Sequence, residues 1–216
     1  MTPKIVFIVP YRDRKEQKHF FMKYMDYILE DYKESEYKIF FIHQNDKREF
    51  NRGGLKNIGF LVMKNQYKNN YHNITFVFND IDSVPYKKGL LNYKTKRGTI
   101  KHFFGTRKTL GGIVSITGAD FEKIGGFPNY WTWGFEDNVL YNRAMKNNLK
   151  IDRSTFFPLF NHNIIHLTDN LKRTININHT NFNNSCDDKN NLNSIYKIHY
   201  KTNKSELNII DINNFD

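Results

Sequence analysis

Three short apolar runs alternate with two segments of helical periodicity over the first eighty residues, and this alternation constrains the fold more than any other feature of the chain. The runs are residues 4–9 (KIVFIV), 37–43 (YKIFFIH) and 73–78 (NITFVF), each rich in β-branched or aromatic residues and each read as a strand. Between them, Phe20, Phe21, Tyr24, Met25, Ile28 and Leu29 recur at helical spacing within residues 14–32. Leu55, Ile58, Gly59 and Val62 share one face of residues 50–67. Strand, helix, strand, helix, strand predicts an α/β fold, with parallel strands and covering helices. In such sheets ligands bind beyond the carboxyl ends of the strands. The third run leads directly into Asp80-Ile81-Asp82, so this pair is placed where a ligand is expected.

Further along, residues 86–108 are basic and polar and read as loops and short strands. Residues 112–116 predict a strand, 119–124 a short helix and 136–146 a third long helix. Residues 164–184 are polar and weakly periodic, which predicts a long loop acting as a lid. Late strands are expected at 193–200 and 207–212. The 216 residues fit one domain, without repeat or linker.

The chain carries 33 Lys and Arg against 22 Asp and Glu, a net charge of +11. That charge attracts polyanions, so a basic nucleic-acid or polyanion-binding module is the alternative to an enzyme, and contact with an anionic membrane surface is open to it. The basic residues are scattered, however. The densest group is Lys87, Lys88, Lys94, Lys96, Arg97 and Lys101, and most of the charge reads as solvated surface. No specific nucleic-acid partner is expected. Cys186 is the single cysteine, which fits a reducing compartment. No apolar run approaches the roughly 18–20 residues of a membrane span, and residues 5–9 are too few for a signal-peptide core. The expected location is cytoplasmic.

Five local patterns carry chemistry. The run Trp131-Thr-Trp-Gly-Phe-Glu-Asp137 places the only two tryptophans within six positions of a Glu-Asp pair. Flat aromatic faces suit sugar rings, and carboxylates accept hydrogen bonds and protons from hydroxyls. Asp80 and Asp82 at a strand end suit a hard cation and a ribose, although an Asp-x-Asp alone is as often a turn. His162 and His166 precede the loop; a histidine joining an Asp-x-Asp favours Mn²⁺ over Mg²⁺, while an isolated histidine is more often structural. FNRGGLKNIGF at residues 50–60 combines glycines with Arg52, which can reach a phosphate, but it is neither a GxGxxG nor a P-loop. VPYRDR at residues 9–14 ends a strand with two arginines, equally suited to a diphosphate or to an exposed helix start.

PYRDR, FNRGGLKNIGF, NDIDSVP, LGGI, the IGGFPNYWTWGFED block with its trailing NR, and a downstream histidine occur in one order. In this the chain resembles the catalytic domain of the beta-1,4-galactosyltransferase family over most of its length, from about residue 5 to 212. The resemblance implies a nucleotide-sugar binding, GT-A-like, Rossmann-type mixed sheet with helices on both faces. It implies inverting transfer of a sugar from a UDP-sugar to a saccharide or glycoconjugate acceptor, using Mn²⁺ or another divalent cation. By the same resemblance Asp82, His166 and Asn163 hold the metal, with Asn163 standing where the family commonly has Met. Asp80 supports the ribose side. Pro10, Arg12, Arg14, Phe50 and Arg52 contact the nucleotide, Gly112 lines the sugar site, and Trp133 is the lid tryptophan over the donor. Glu136 and Asp137 hold the acceptor, with Asp137 as base. At a helix start Asp137 is expected to stay ionised at neutral pH, near the ordinary Asp pKa of ~3.9. The family block commonly reads WGWGGEDDD, so Phe135 stands for a glycine and Asn138 for an acid, both beside the acceptor carboxylates. Thr109 stands where vertebrate members carry a Tyr that restricts the donor. The smaller side chain leaves room for an N-acetyl group, so UDP-Gal, UDP-GalNAc and UDP-GlcNAc all remain open as donors.

Overall fold

The computed structural model describes residues 1–168, 174–175, 190–203 and 209–215. The predicted alternation forms as β1 (Ile5–Tyr11), α1 (Lys15–Ile28), β2 (Tyr37–Gln44), α2 (Arg52–Gln66) and β3 (Thr75–Asn79). β1 pairs in parallel with both β2 and β3 and is buried along its whole length. Its alternate residues serve two cores. Ile5, Phe7 and Val9 meet Phe21, Met25 and Ile28 of α1 on one face, whereas Val6 and Ile8 meet Leu55, Ile58 and Phe60 of α2 on the other. The period-two pattern of a strand thus supplies both layers, and helices cover both faces of the sheet.

After β3 come β4 (Ser83–Pro85), β5 (Thr99–Gly105), β6 (Ile113–Thr117), α3 (Gly118–Lys123), α4 (Glu136–Lys146), β7 (Lys150–Asp152), β8 (Phe157–Pro158), β9 (Ile164–His166), β10 (His199–Asn203) and β11 (Ile209–Asn214). The main sheet runs β10-β11-β2-β1-β3-β6-β5-β7, with β8 also on β5. β6 is antiparallel to β3 and β5, and β10 to β11, so the sheet is mixed. A separate ribbon joins β4 to β9, with Ser83 opposite His166.

Three local expectations change. The basic stretch near residue 100 is a full seven-residue strand, β5, because Ile100, Phe103 and Phe104 are buried despite the lysines around them. The first late strand is displaced: Leu192–Ser194 is a short 3-10 turn, and β10 starts only at His199. The lid segment begins as a strand, since Ile164–His166 pairs with Ser83–Pro85. Most of its remainder lies outside the described residues. Among the described residues no helix is long and apolar enough to cross a membrane.

Candidate active site

The C-terminal ends of β1 and β3, the first turns of α2 and α4, and the β5–β6 connection enclose a cavity of about 740 Å³. Eleven of the thirteen residues singled out from the sequence line it: Pro10, Arg12, Arg14, Phe50, Arg52, Asp80, Asp82, Gly112, Trp133, Asp137 and His166. Glu136 is buried just behind the wall. Asn163 is not brought in.

At the centre of the wall, Arg52 binds three carboxylates. Its Nη1 donates to Asp80 Oδ2 at 2.7 Å, Nε to Glu136 Oε1 at 2.6 Å and Nη2 to Asp137 Oδ2 at 2.6 Å. A guanidinium alone offers donors in a fixed planar fork suited to this. Asn51 caps α2 by accepting from the Gly54 N–H at 2.7 Å, which starts the helix so that Arg52 is its first residue. Gly53 lets that turn approach the connection leading into α4, because a Cβ there would meet Pro128 O at 2.5 Å. Glu136 and Asp137 open α4, where the helix dipole favours negative charge.

Lys56, one turn after Arg52, is almost fully buried with Nζ 3.1 Å from Asp80 Oδ1 and 3.8 Å from Asp137 Oδ1. Three carboxylates therefore face two cations, one negative charge in excess. The excess is not shared evenly. Burial would raise Asp80, but Arg52, Lys56 and Arg14 together hold it down at about 2. Burial pushes Asp137 up to about 6, against the weaker pull of Arg52 and Lys56. Asp137 is thus ionised at neutral pH as expected from the sequence, yet more basic than expected. The helix dipole does not offset desolvation. Asp137 Oδ1 and Glu136 Oε2 are buried and accept no hydrogen bond, and of the two residues only Asp137 lines the cavity.

The same cavity is lined by Asp82 and His166. Arg14 donates to Asp82 Oδ2 at 2.9 Å, and Ser83 Oγ lies 3.1 Å from Asp82 Oδ1 and 3.0 Å from His166 Nδ1. With Ser83 donating to Asp82 and Nδ1–H donating to Ser83, the free lone pair of His166 falls on Nε2. One carboxylate and one imidazole fit a divalent ion that keeps open positions for diphosphate oxygens and water. Asn163 does not join them. Its main-chain O accepts from Tyr86 N, three positions along the β4–β9 ribbon from His166 or about 10 Å away, and its amide donates to Asn161 Oδ1. Among the described residues no cluster of three His, Cys, Asp or Glu forms a self-sufficient metal site.

The two tryptophans part company. Trp133 is exposed at the mouth of the cavity, its main-chain N–H donating to Thr174 O. Trp131 stacks on Phe215, centroids 4.7 Å apart, with the Arg48 guanidinium 3.8 Å above its ring. Its faces are occupied, so its role is to anchor the loop to the C-terminal strand.

Sequence reasoning missed three contributors. Lys56 carries a signal that was legible: a lysine four residues after Arg52 on a helix otherwise rich in glycine and apolar residues. Gly111 packs on Asp137 so tightly that a Cβ would lie 2.2 Å from Oδ2. His102 is buried with Nε2 near Phe104 O at 3.0 Å and Gly111 O at 3.2 Å, while Arg153 donates to Nδ1. Burial and Arg153 lower its pKa to about 4, so the neutral ring braces the Gly111 turn. A further oddity is Phe135, which adopts a left-handed backbone (φ 69°) between Gly134 and α4 and lines the cavity. That conformation costs a residue with a Cβ about 1–2 kcal/mol.

Residues 1–94 match the family described as the N-terminal region of glycosyl transferase group 7, and residues 98–167 match the N-terminal domain of galactosyltransferase. Beta-1,4-galactosyltransferase 1 of Bos taurus is 31% identical over 163 residues, 69% of this chain and 38% of that protein. Xylosylprotein 4-beta-galactosyltransferase of Caenorhabditis elegans is 32% identical over 159 residues, 69% of this chain and 53% of that protein. The chain therefore spans well under two thirds of these relatives. The catalytic domain of Drosophila beta1,4galactosyltransferase 7, in complex with xylobiose, superposes with a TM-score of 0.75 at 23% identity, covering 98% of this chain and 93% of that one. A mutant of the same Drosophila protein, in complex with manganese, UDP-Gal and xylobiose, gives the same score at 22% identity.

The contact between Gly111 and Asp137 is open to direct test. Gly111→Ala should destabilise the fold by about 1–3 kcal/mol in urea unfolding, because the added methyl must displace a carboxylate held by Arg52. An unchanged midpoint would show that Asp137 is not clamped against this turn.

Proposed function

The chain belongs to the beta-1,4-galactosyltransferase family, and from that premise we propose that it is an inverting, metal-dependent glycosyltransferase. It moves a hexose, galactose first among the candidates, from a UDP-sugar to a sugar hydroxyl of an acceptor glycan or glycoconjugate. One observation carries the reading: the basic carboxylate of Asp137, with an unpartnered oxygen, shares one cavity with the Asp82–His166 pair. A carboxylate able to take a proton and a pair able to hold a diphosphate-bound cation within one cavity support this reading. The relatives support the donor and acceptor classes, since one structural neighbour holds manganese, UDP-Gal and xylobiose.

The residues divide the work. Arg12 lies with its guanidinium 5.5 Å from the Phe50 ring centre at the end of β1, suited to the nucleotide, and Arg14 adds positive charge beside Asp82. Asp82 and His166 would hold a divalent cation such as Mn²⁺, which when bound supplies Lewis-acid stabilisation of the departing diphosphate. Asp137, which lines the cavity, accepts a hydrogen bond from the acceptor sugar, and Glu136 behind it holds Arg52 in place. Asp137 then takes the proton of the attacking hydroxyl as its oxygen bonds to the anomeric carbon. The anomeric C–O bond to UDP breaks on the opposite face, and its electron pair leaves with UDP, inverting the centre. Thr109 lines the cavity, and its small side chain admits a donor with an N-acetyl group.

Replacing Asp137 by Asn should lower transfer by about 10²–10⁴-fold while UDP binding in the presence of Mn²⁺, measured by calorimetry, changes little. Equal loss of both would make Asp137 structural. The pH profile provides a second check. Asp137 works ionised and its pKa is raised to about 6, so kcat/KM should fall as pH drops through 6. Activity undiminished down to about pH 4 would instead indicate an ordinary aspartate.

A further inference from the structure

Phe135 occupies a position that its own chemistry disfavours twice. Its backbone is left-handed, which a bulky residue rarely adopts, and it sits at the N-cap of α4 without a side chain able to cap. Gly134 beside it also has positive φ and open space where a Cβ would be, so the local chain does not need bulk for packing at that neighbour. Glycine or asparagine at 135 would suit both demands better. Residues held in such conformations persist where the surrounding site gains from them. Here Phe135 lines the cavity together with Asp137, and it directly precedes Glu136 and Asp137 in the chain.

We propose that Phe135 is a specificity-determining residue for the acceptor: its ring forms the apolar platform on which the acceptor sugar lies while Asp137 binds a hydroxyl at its rim. This rests on the glycosyltransferase reading above. A pyranose has one polar rim and broad C–H faces, so a ring adjoining two carboxylates recognises both features at once. Among the described residues Phe50, Phe104, Trp133 and Phe135 are the aromatics lining the cavity, and Phe135 is the one that adjoins the acids in the chain. Acceptors with an unsubstituted C–H face toward this ring are favoured.

The test separates strain from function. Phe135→Gly, Phe135→Asn and Phe135→Tyr are compared with wild type in thermal unfolding and in steady-state transfer from UDP-galactose with Mn²⁺. The acceptor is whichever of xylobiose, N-acetylglucosamine, glucose and lactose the wild type uses best. The Gly and Asn variants should unfold at the same or a higher temperature than wild type. Their acceptor KM should nevertheless rise about tenfold, with kcat and the KM for UDP-galactose nearly unchanged. Phe135→Tyr should keep the wild-type acceptor KM. An unchanged acceptor KM in the Gly and Asn variants, or unfolding at a lower temperature together with equal losses in kcat and both KM values, overturns the proposal while leaving the transferase reading intact. A wild-type protein that transfers to none of these acceptors overturns both.

Discussion

The sharing of one guanidinium among three buried carboxylates is the interaction on which the rest of this structure depends. Arg52 joins the end of β3 to the start of α4 through Asp80, Glu136 and Asp137, each bond between 2.6 and 2.7 Å. Burying such acids without a partner costs several kcal/mol per ion. Arg52 and Lys56 offset most of that cost, but two cations cannot neutralise three anions. The unbalanced charge settles on Asp137, because Asp80 lies closer to Lys56 and also feels Arg14. A structural ion cluster and a basic carboxylate are therefore the same feature.

The fold exists to hold that cluster at one edge. Parallel pairing of β1 with β2 and β3 brings their carboxyl ends together, and the helix following β2 starts there with Arg52. The antiparallel β5–β6 pair then returns the chain so that Gly111 rests on Asp137, and neutral His102 holds the turn. On the far side, β4 and β9 form a ribbon whose register sets His166 opposite Ser83, next to Asp82. At the C-terminus, Phe215 stacks on Trp131, tying the last strand to the loop that carries Trp133 and Phe135.

The alternation of runs and helical segments was legible because burial on both sheet faces demands apolar residues at every strand position, as β1 shows. Strand ends were legible for the same reason, which put Asp80 and Asp82 where a ligand is expected, whereas the segment of Arg12 and Arg14, which line the same cavity, suited an exposed helix start equally well. Position along a strand ribbon was not. Asn163 stands three residues from His166, and in an extended pair that spacing carries it away from Asp82 rather than toward it. The fate of Trp131 was hidden too, since the partner that covers its ring lies 84 residues later in the chain, at Phe215. Lys56 stood out on a glycine-rich, apolar helix, but its carboxylate partners come from two other elements and only the fold brings them to it. The raised pKa of Asp137 depends on the same long-range neighbours.

Arg52→Lys most directly tests the claim that one planar guanidinium organises the reacting acids. The substitution keeps the charge but replaces the fixed fork by a single ammonium that cannot reach three carboxylates in their present directions. Transfer from UDP-galactose with Mn²⁺ should fall by about 10²-fold or more, as expected when reacting groups shift by around an ångström. A lysine variant that transfers at the wild-type rate would contradict the account, because charge alone would then suffice.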